Sequence, residues 1–165
     1  MKKILLTIAV VALLFATAPS FMASAKRNEQ AGKSNKAHLY LYEKENFVKD
    51  GWDIVEDGAW GKMTYDLSGE TFDYVFNGHE LEEGMDYTLI YYPDTWPGKG
   101  FIYLGEGTAN EYGDVHIKNS VGMHDNLEDA KLWLVLSNDV ENYMIGWNPI
   151  EYLFEYDTID FDYTM

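Results

Sequence analysis

The sequence predicts an all-β protein: a single antiparallel β-sandwich, immunoglobulin-like or jelly-roll-like, of about eight or nine short strands. Three observations carry that expectation. Apolar residues recur with a period of two along nearly every segment, the spacing at which strand side chains share a face. Glycine, proline, asparagine and aspartate punctuate these runs at intervals of roughly 8 to 15 residues. The composition is aromatic, with 13 Tyr, 8 Phe and 5 Trp, and such side chains suit a pleated, half-buried surface.

In chain order, AHLYLYE (37–43) sets Leu39 and Leu41 against His38, Tyr40 and Tyr42. AWGKMTYD (59–66) and TFDYVFN (71–77) are joined by LSGE, a hairpin turn, and Phe72, Tyr74 and Phe76 fall on one face. MDYTLIYY (85–92) leads through the turn PDTWPGKG into GFIYLGEG (100–107). NEYGD (110–114) turns the chain into VHIKNSV (115–121). KLWLVLS (131–137) is a continuous apolar run, the pattern of a strand buried on both faces. YMIGWNP (143–149) is ambiguous, and EYLFEYD (151–157) and TIDFDYT (158–164) complete the set. The best helical candidate is HDNLEDAKLW (124–133), where an Asp or Asn cap could start a turn.

Residues 1–25 read as a secretory signal peptide. Lys2 and Lys3 precede an apolar run, and Ala23-Ser24-Ala25 places small residues where a signal peptidase cuts. An uncleaved anchor is the rival reading, since the run is near bilayer-spanning length. No cysteine follows it for lipid attachment. Residues 26–36 form a flexible basic linker, and 37–165 the β-domain. From residue 37 on, six lysines face 27 carboxylates, a net charge of −21. That field repels nucleic acid and anionic lipid, so the expected setting is extracellular, periplasmic or cell-surface, without membrane insertion after cleavage. With no cysteine in the chain, disulfides are excluded and the fold must stand on its core.

The segment LEEGMDY (81–87) resembles the tyrosine corner of fibronectin type III and immunoglobulin-like sandwiches: a Leu, a turn, and a Tyr opening a strand six residues on. The resemblance implies that Tyr87 bonds back to the backbone near Leu81 and pins a corner between sheets. Glu83 stands where that pattern usually has proline, and more strands follow Tyr87 than a plain seven-stranded module holds. The run WGKMTYDLSGETFDYVFNGHELEEGMDYTLIYY, with LGEGTANEYGDVHI after it, is similar to small secreted prokaryotic β-proteins, archaeal ones among them, of unassigned function. That similarity covers most of residues 37–120 and implies a secreted, one-domain β-protein without implying a chemistry.

Catalytic signatures are missing: there is no GxSxG elbow, no HExxH and no Walker loop. GEGTAN (105–110) reads as a strand end with a bulge. His38, His79, His116 and His124 show no zinc-ligand spacing. Asp160 and Asp162 share a strand face with Asp157 just before them, a candidate calcium set, and Glu151 and Glu155 share a face on the preceding strand. Two carboxylates about 5 to 9 Å apart across a groove are also what a sandwich-type glycoside hydrolase needs. In so acidic a chain a solvated face explains these pairs first.

Trp96 sits at the tip of a proline–glycine turn. Either its ring folds back and plugs the open end of the core, the alternative that burial favours, or it stands out as a stacking platform. In the second case Asp94 would accept hydroxyl hydrogen bonds and Tyr92 or Tyr91 would extend the platform, with Trp52 and Trp60 as further candidates. The function expected is a non-catalytic secreted or cell-surface interaction module, without a cofactor unless calcium binds, whose partner is an extracellular protein or polysaccharide. A carbohydrate-binding module, calcium-assisted or not, is the first alternative and a glycoside hydrolase the second.

Overall fold

The computed structural model describes residues 34–45 and 52–165. The signal peptide and most of the linker expected from sequence lie outside them. Ten strands run in order: β1 (Lys36–Tyr42), β2 (Trp60–Asp66), β3 (Ser68–Gly69), β4 (Thr71–His79), β5 (Asp86–Tyr92), β6 (Ile102–Thr108), β7 (Val115–Gly122), β8 (Leu127–Leu136), β9 (Leu153–Glu155) and β10 (Ile159–Tyr163). Short 3-10 turns at Ser137–Asp139 and Pro149–Glu151 interrupt the stretch between β8 and β9, and no α-helix occurs among the described residues.

The strands form one sheet, ordered β3-β10-β8-β9-β1-β2-β4-β7, with β5 on β8 and β6 on β5. Every pairing is antiparallel except β10 with β3, where Asp162 faces Ser68 and Tyr163 faces Gly69. The sheet is therefore mixed, not wholly antiparallel. It is also open: β6 and β7 form no ladder, although the Asn119 side-chain amide donates to the Leu104 carbonyl at 2.6 Å across the gap.

Alternation produces the core as the sequence predicts. Leu39 and Leu41 on β1, Met63 and Tyr65 on β2, and Phe72, Tyr74 and Phe76 on β4 are buried while their neighbours face outward. On β8, Leu132, Trp133, Leu134, Val135 and Leu136 are all buried. β5 pairs along one edge of this strand and β9 along the other, and the burial of successive residues means that both of its faces are covered. The predicted bulge in the GEGTAN region is present: pairing slips between Leu89–Gly105 and Ile90–Tyr103. Gly105 permits a close approach there, since a Cβ would come within 2.8 Å of the Tyr74 hydroxyl and of Ile117.

Three local expectations are corrected. The helical candidate 124–133 is largely strand, because the strong run from Ala130 onward extends β8 back to Leu127, where it pairs with β10. The LSGE turn is more than a hairpin, since its Ser68-Gly69 pair forms β3 against β10. The strand expected over 151–157 shrinks to Leu153–Glu155, since Pro149 starts a 3-10 turn that ends on Glu151.

Candidate functional site

Four of the five tryptophans, Trp52, Trp96, Trp133 and Trp147, converge on one place. The floor is laid by neighbouring strands. Ile90 and Phe154 both pair with Trp133, and Tyr92 pairs with Lys131. Tyr92 stacks on Trp133 with ring centroids 3.7 Å apart and planes at 13°. Phe154 meets Trp133 edge-on at 5.2 Å.

Three loops place the remaining rings over this floor. In the turn after β5, Gly98 has φ +73 and its missing Cβ would lie 2.5 Å from the Tyr92 ring, so the backbone itself covers Tyr92. The Pro97 carbonyl accepts the Met144 amide at 2.9 Å and ties this loop to the one after β8. That second loop is organised by the buried Asp139. Its carboxylate accepts bonds from the Tyr152 hydroxyl at 2.5 Å and the Asn148 amide at 2.7 Å, and its carbonyl accepts the Ile145 and Gly146 amides. Trp147 is held between those anchors. It meets Trp96 edge-on at 5.7 Å and Trp52 at 6.4 Å. The third loop brings Trp52 onto Phe154 at 4.7 Å, with the Lys44 ammonium 5.9 Å from its ring.

Trp96 is 53% exposed and Trp52 43% exposed, so the plug expected for Trp96 is corrected. Tyr92 and the Gly98 backbone already close that end of the core, and Trp96 gains its contact from Trp147. Tyr92 is buried beneath the tryptophans, not beside Trp96 as part of an exposed platform. Asp94 is engaged by the Lys131 ammonium, and the same contact raises the Lys131 pKa. Trp60 lies elsewhere, 4.6 Å from the His79 ring.

At the cluster's edge Glu155 is mostly buried, and burial raises its pKa against the opposing pull of Lys44, the Trp133 indole and Lys131. Its Oε2 and the Trp133 Nε1 are both buried without a well-formed hydrogen bond. Lys44 donates to the Glu155 carbonyl at 2.8 Å, and its own pKa is lowered by burial.

No family model, curated protein or solved structure matches the chain.

A second feature is a cleft of about 280 Å³ lined by Glu43, Glu80, Glu82 and Glu151 together with Tyr87 and Tyr152. The Glu43 carboxylate accepts the Ala59 amide at 3.0 Å, and the Tyr87 hydroxyl accepts the Glu82 amide at 3.3 Å. Leu81 lines the same corner and is buried. Burial, then Glu82 and Glu43, raise the Glu151 pKa. Glu151 and Glu155 therefore do not share a strand face. Glu151 belongs to the cleft and Glu155 to the aromatic cluster.

The terminal aspartates do not assemble. Asp160 accepts the Asp129 amide at 3.0 Å, while Asp157 and Asp162 are exposed. Among the described residues no group of three His, Cys, Asp or Glu side chains is arranged to hold a metal ion. Trp147 and Trp133 were the residues the sequence did not single out. The signal available was the rarity of tryptophan together with the polar, turn-rich setting of Trp147 in YMIGWNP.

Proposed function

We propose that this protein is a non-catalytic interaction module, exported to the cell surface or beyond, that binds an extracellular polysaccharide at the tryptophan cluster. The observation that carries this reading is the convergence of Trp52, Trp96 and Trp147, two of them about half exposed, over the rigid Tyr92–Trp133 stack. Sugar rings present C–H faces that pack on indole, and an exposed ring held in place loses little entropy on binding. The Lys131–Asp94 pair beside the cluster supplies a donor and an acceptor for hydroxyls. The leader at residues 1–25 supports export. Antiparallel strands around one continuous core support a sheet folded over on itself as two layers, the sandwich arrangement. The test is tryptophan fluorescence titrated with a panel of soluble polysaccharides, with and without a chelator. A saturable change lost in Trp96→Ala supports the reading, and a flat response across the panel sinks it. Loss of the change on chelation would bring in a divalent cation.

The four-glutamate cleft favours a second reading, a glycoside hydrolase. A carboxyl whose pKa is raised suits a general acid, and burial, then Glu82 and Glu43, raise that of Glu151 in this cleft. Release of reducing ends from any polysaccharide, abolished in Glu151→Gln, would establish it. No release by the native protein would remove it.

A further inference from the structure

Two central rows on the outer face of β1–β2–β4–β7 carry cations and no acid, unlike the rest of the molecule. Strand register lays its outward side chains in rows. One row runs His38, Thr64, Val75, Lys118, and the next runs Tyr40, Lys62, Asn77, His116. Their neighbours along the strands, Leu39, Leu41, Met63, Phe76 and Ile117, are buried in the core, which leaves these eight on the outside. The two rows hold two lysines, two histidines and no carboxylate, in a chain whose net charge is −16. A third row, Tyr42, Trp60, His79, borders them with aromatic rings.

The carboxylates bordering these rows have partners of their own, and of the three only Asp66 is paired with a lysine. Asp66 pairs with Lys36, Asp114 with His79, and Asp73 accepts from the Thr71 hydroxyl at 3.0 Å. The histidines are held by neutral partners, His38 by Thr64 at 3.0 Å and His116 by Asn77 at 2.7 Å. Lys62 has its ammonium 5.6 Å from the Tyr40 ring centroid, a cation resting on an aromatic face and not on an acid. Tyr40 and Tyr42 lie nearly parallel at 6.3 Å, and Tyr40 is exposed.

We propose that this face is a second binding surface, bordering the tryptophan cluster where Tyr42 faces Phe154, for an acidic polysaccharide whose uronate carboxylates pair with Lys62 and Lys118 while its sugar rings pack on Tyr40, Tyr42 and Trp60. Charge complementarity selects the anion. An extended chain suits a sheet face, because strands two ladder spacings apart, about 9.6 Å, carry Lys62 and Lys118 in adjacent rows. The net negative charge does not forbid this. At physiological salt, repulsion from distant carboxylates is screened beyond about 8 Å, so the local rows dominate a ligand lying on them.

The test uses polygalacturonate and its fully methyl-esterified form, the same chain with its charge removed, measured by calorimetry at physiological salt. The full chain is expected to bind the acid form at least ten-fold more tightly than the ester. Lys62→Glu/Lys118→Glu should lose that binding, and Lys62→Gln/Lys118→Gln should weaken it less. Both lysines are on the surface, and a circular dichroism spectrum of each variant checks that it has folded. Equal affinity for acid and ester, no binding of either, or charge-reversed variants that bind as the native protein does would each overturn the proposal. So would a change in sedimentation of the charge-reversed variant without a change in polysaccharide affinity, which would assign the face to a second copy of the chain.

Discussion

Tyr92 and Trp133 lie on neighbouring strands with their rings stacked at 3.7 Å and 13°. Everything at the tryptophan cluster rests on that pair. Each side chain is buried, and each is the immediate support of a loop: the Gly98 turn sits on Tyr92, and Trp147 leans on Trp133 at 6.0 Å. The stack separates what holds the site in place from what is free to touch a ligand.

The first prediction follows from that separation. Trp133→Ala should cost about 3–5 kcal/mol, the range for emptying a large buried aromatic site. Trp96→Ala, at a half-exposed ring, should shift stability by about 0.5 kcal/mol while abolishing the fluorescence response to saccharide. Urea unfolding of both variants measures the contrast.

Asp139 holds the loop that carries Trp147. Tyr152→Phe removes the 2.5 Å bond from a buried carboxylate and should cost about 1.5–3 kcal/mol, the range for a hydrogen bond to a charged group. Gly146→Ala should do at least as much harm, since a Cβ there would sit 1.9 Å from the Asp139 Oδ1. Both should also weaken binding at the tryptophan cluster, read by the same titration.

At the Leu81 corner the Tyr87 hydroxyl accepts the Glu82 amide. Tyr87→Phe keeps the ring and removes one bond, so about 0.5–1.5 kcal/mol should be lost with no change in the circular dichroism spectrum. A loss well above that range would mean that the hydroxyl also donates into the glutamate cleft.

Glu155 makes a prediction about pH. Burial raises its pKa, so between the ordinary carboxylate value and the raised one the folded protein holds a proton that the unfolded chain has released. Its contribution to stability is therefore greatest below the unfolded pKa and declines as pH rises through the folded one. Glu155→Gln should melt higher than the native protein at about pH 7 and show no advantage near pH 4, around the ordinary carboxylate pKa. A variant less stable at both pH values would show that the Lys44 and Trp133 contacts outweigh burial.

The β-strands were readable from sequence because strand formation against a core is written locally. Phe72, Tyr74 and Phe76 alternate with polar neighbours, and no distant residue is needed to see it. Errors came where tertiary pairing overrode local pattern. Leu127–Lys131 joined β8 because β10 lay alongside, and Ser68-Gly69 became a strand because Asp162 and Tyr163 ran beside it. The candidate site was less legible. Trp96 and Asp94 stood out by their turn, but Trp147 is 51 residues further on, and only the Met144–Pro97 bond and the Asp139 anchors bring it there.

Composition and periodicity alone determined that this is an acidic, cysteine-free β-protein with an aromatic core, because charge and alternation are properties of the chain itself. The tertiary structure decided which tryptophans meet, which glutamates share a cleft and which lysines share a face. Those are distances between residues far apart in sequence, set by strand register and by a few loop hydrogen bonds, and a shift of one residue in register would turn each of these side chains to the other side of the sheet.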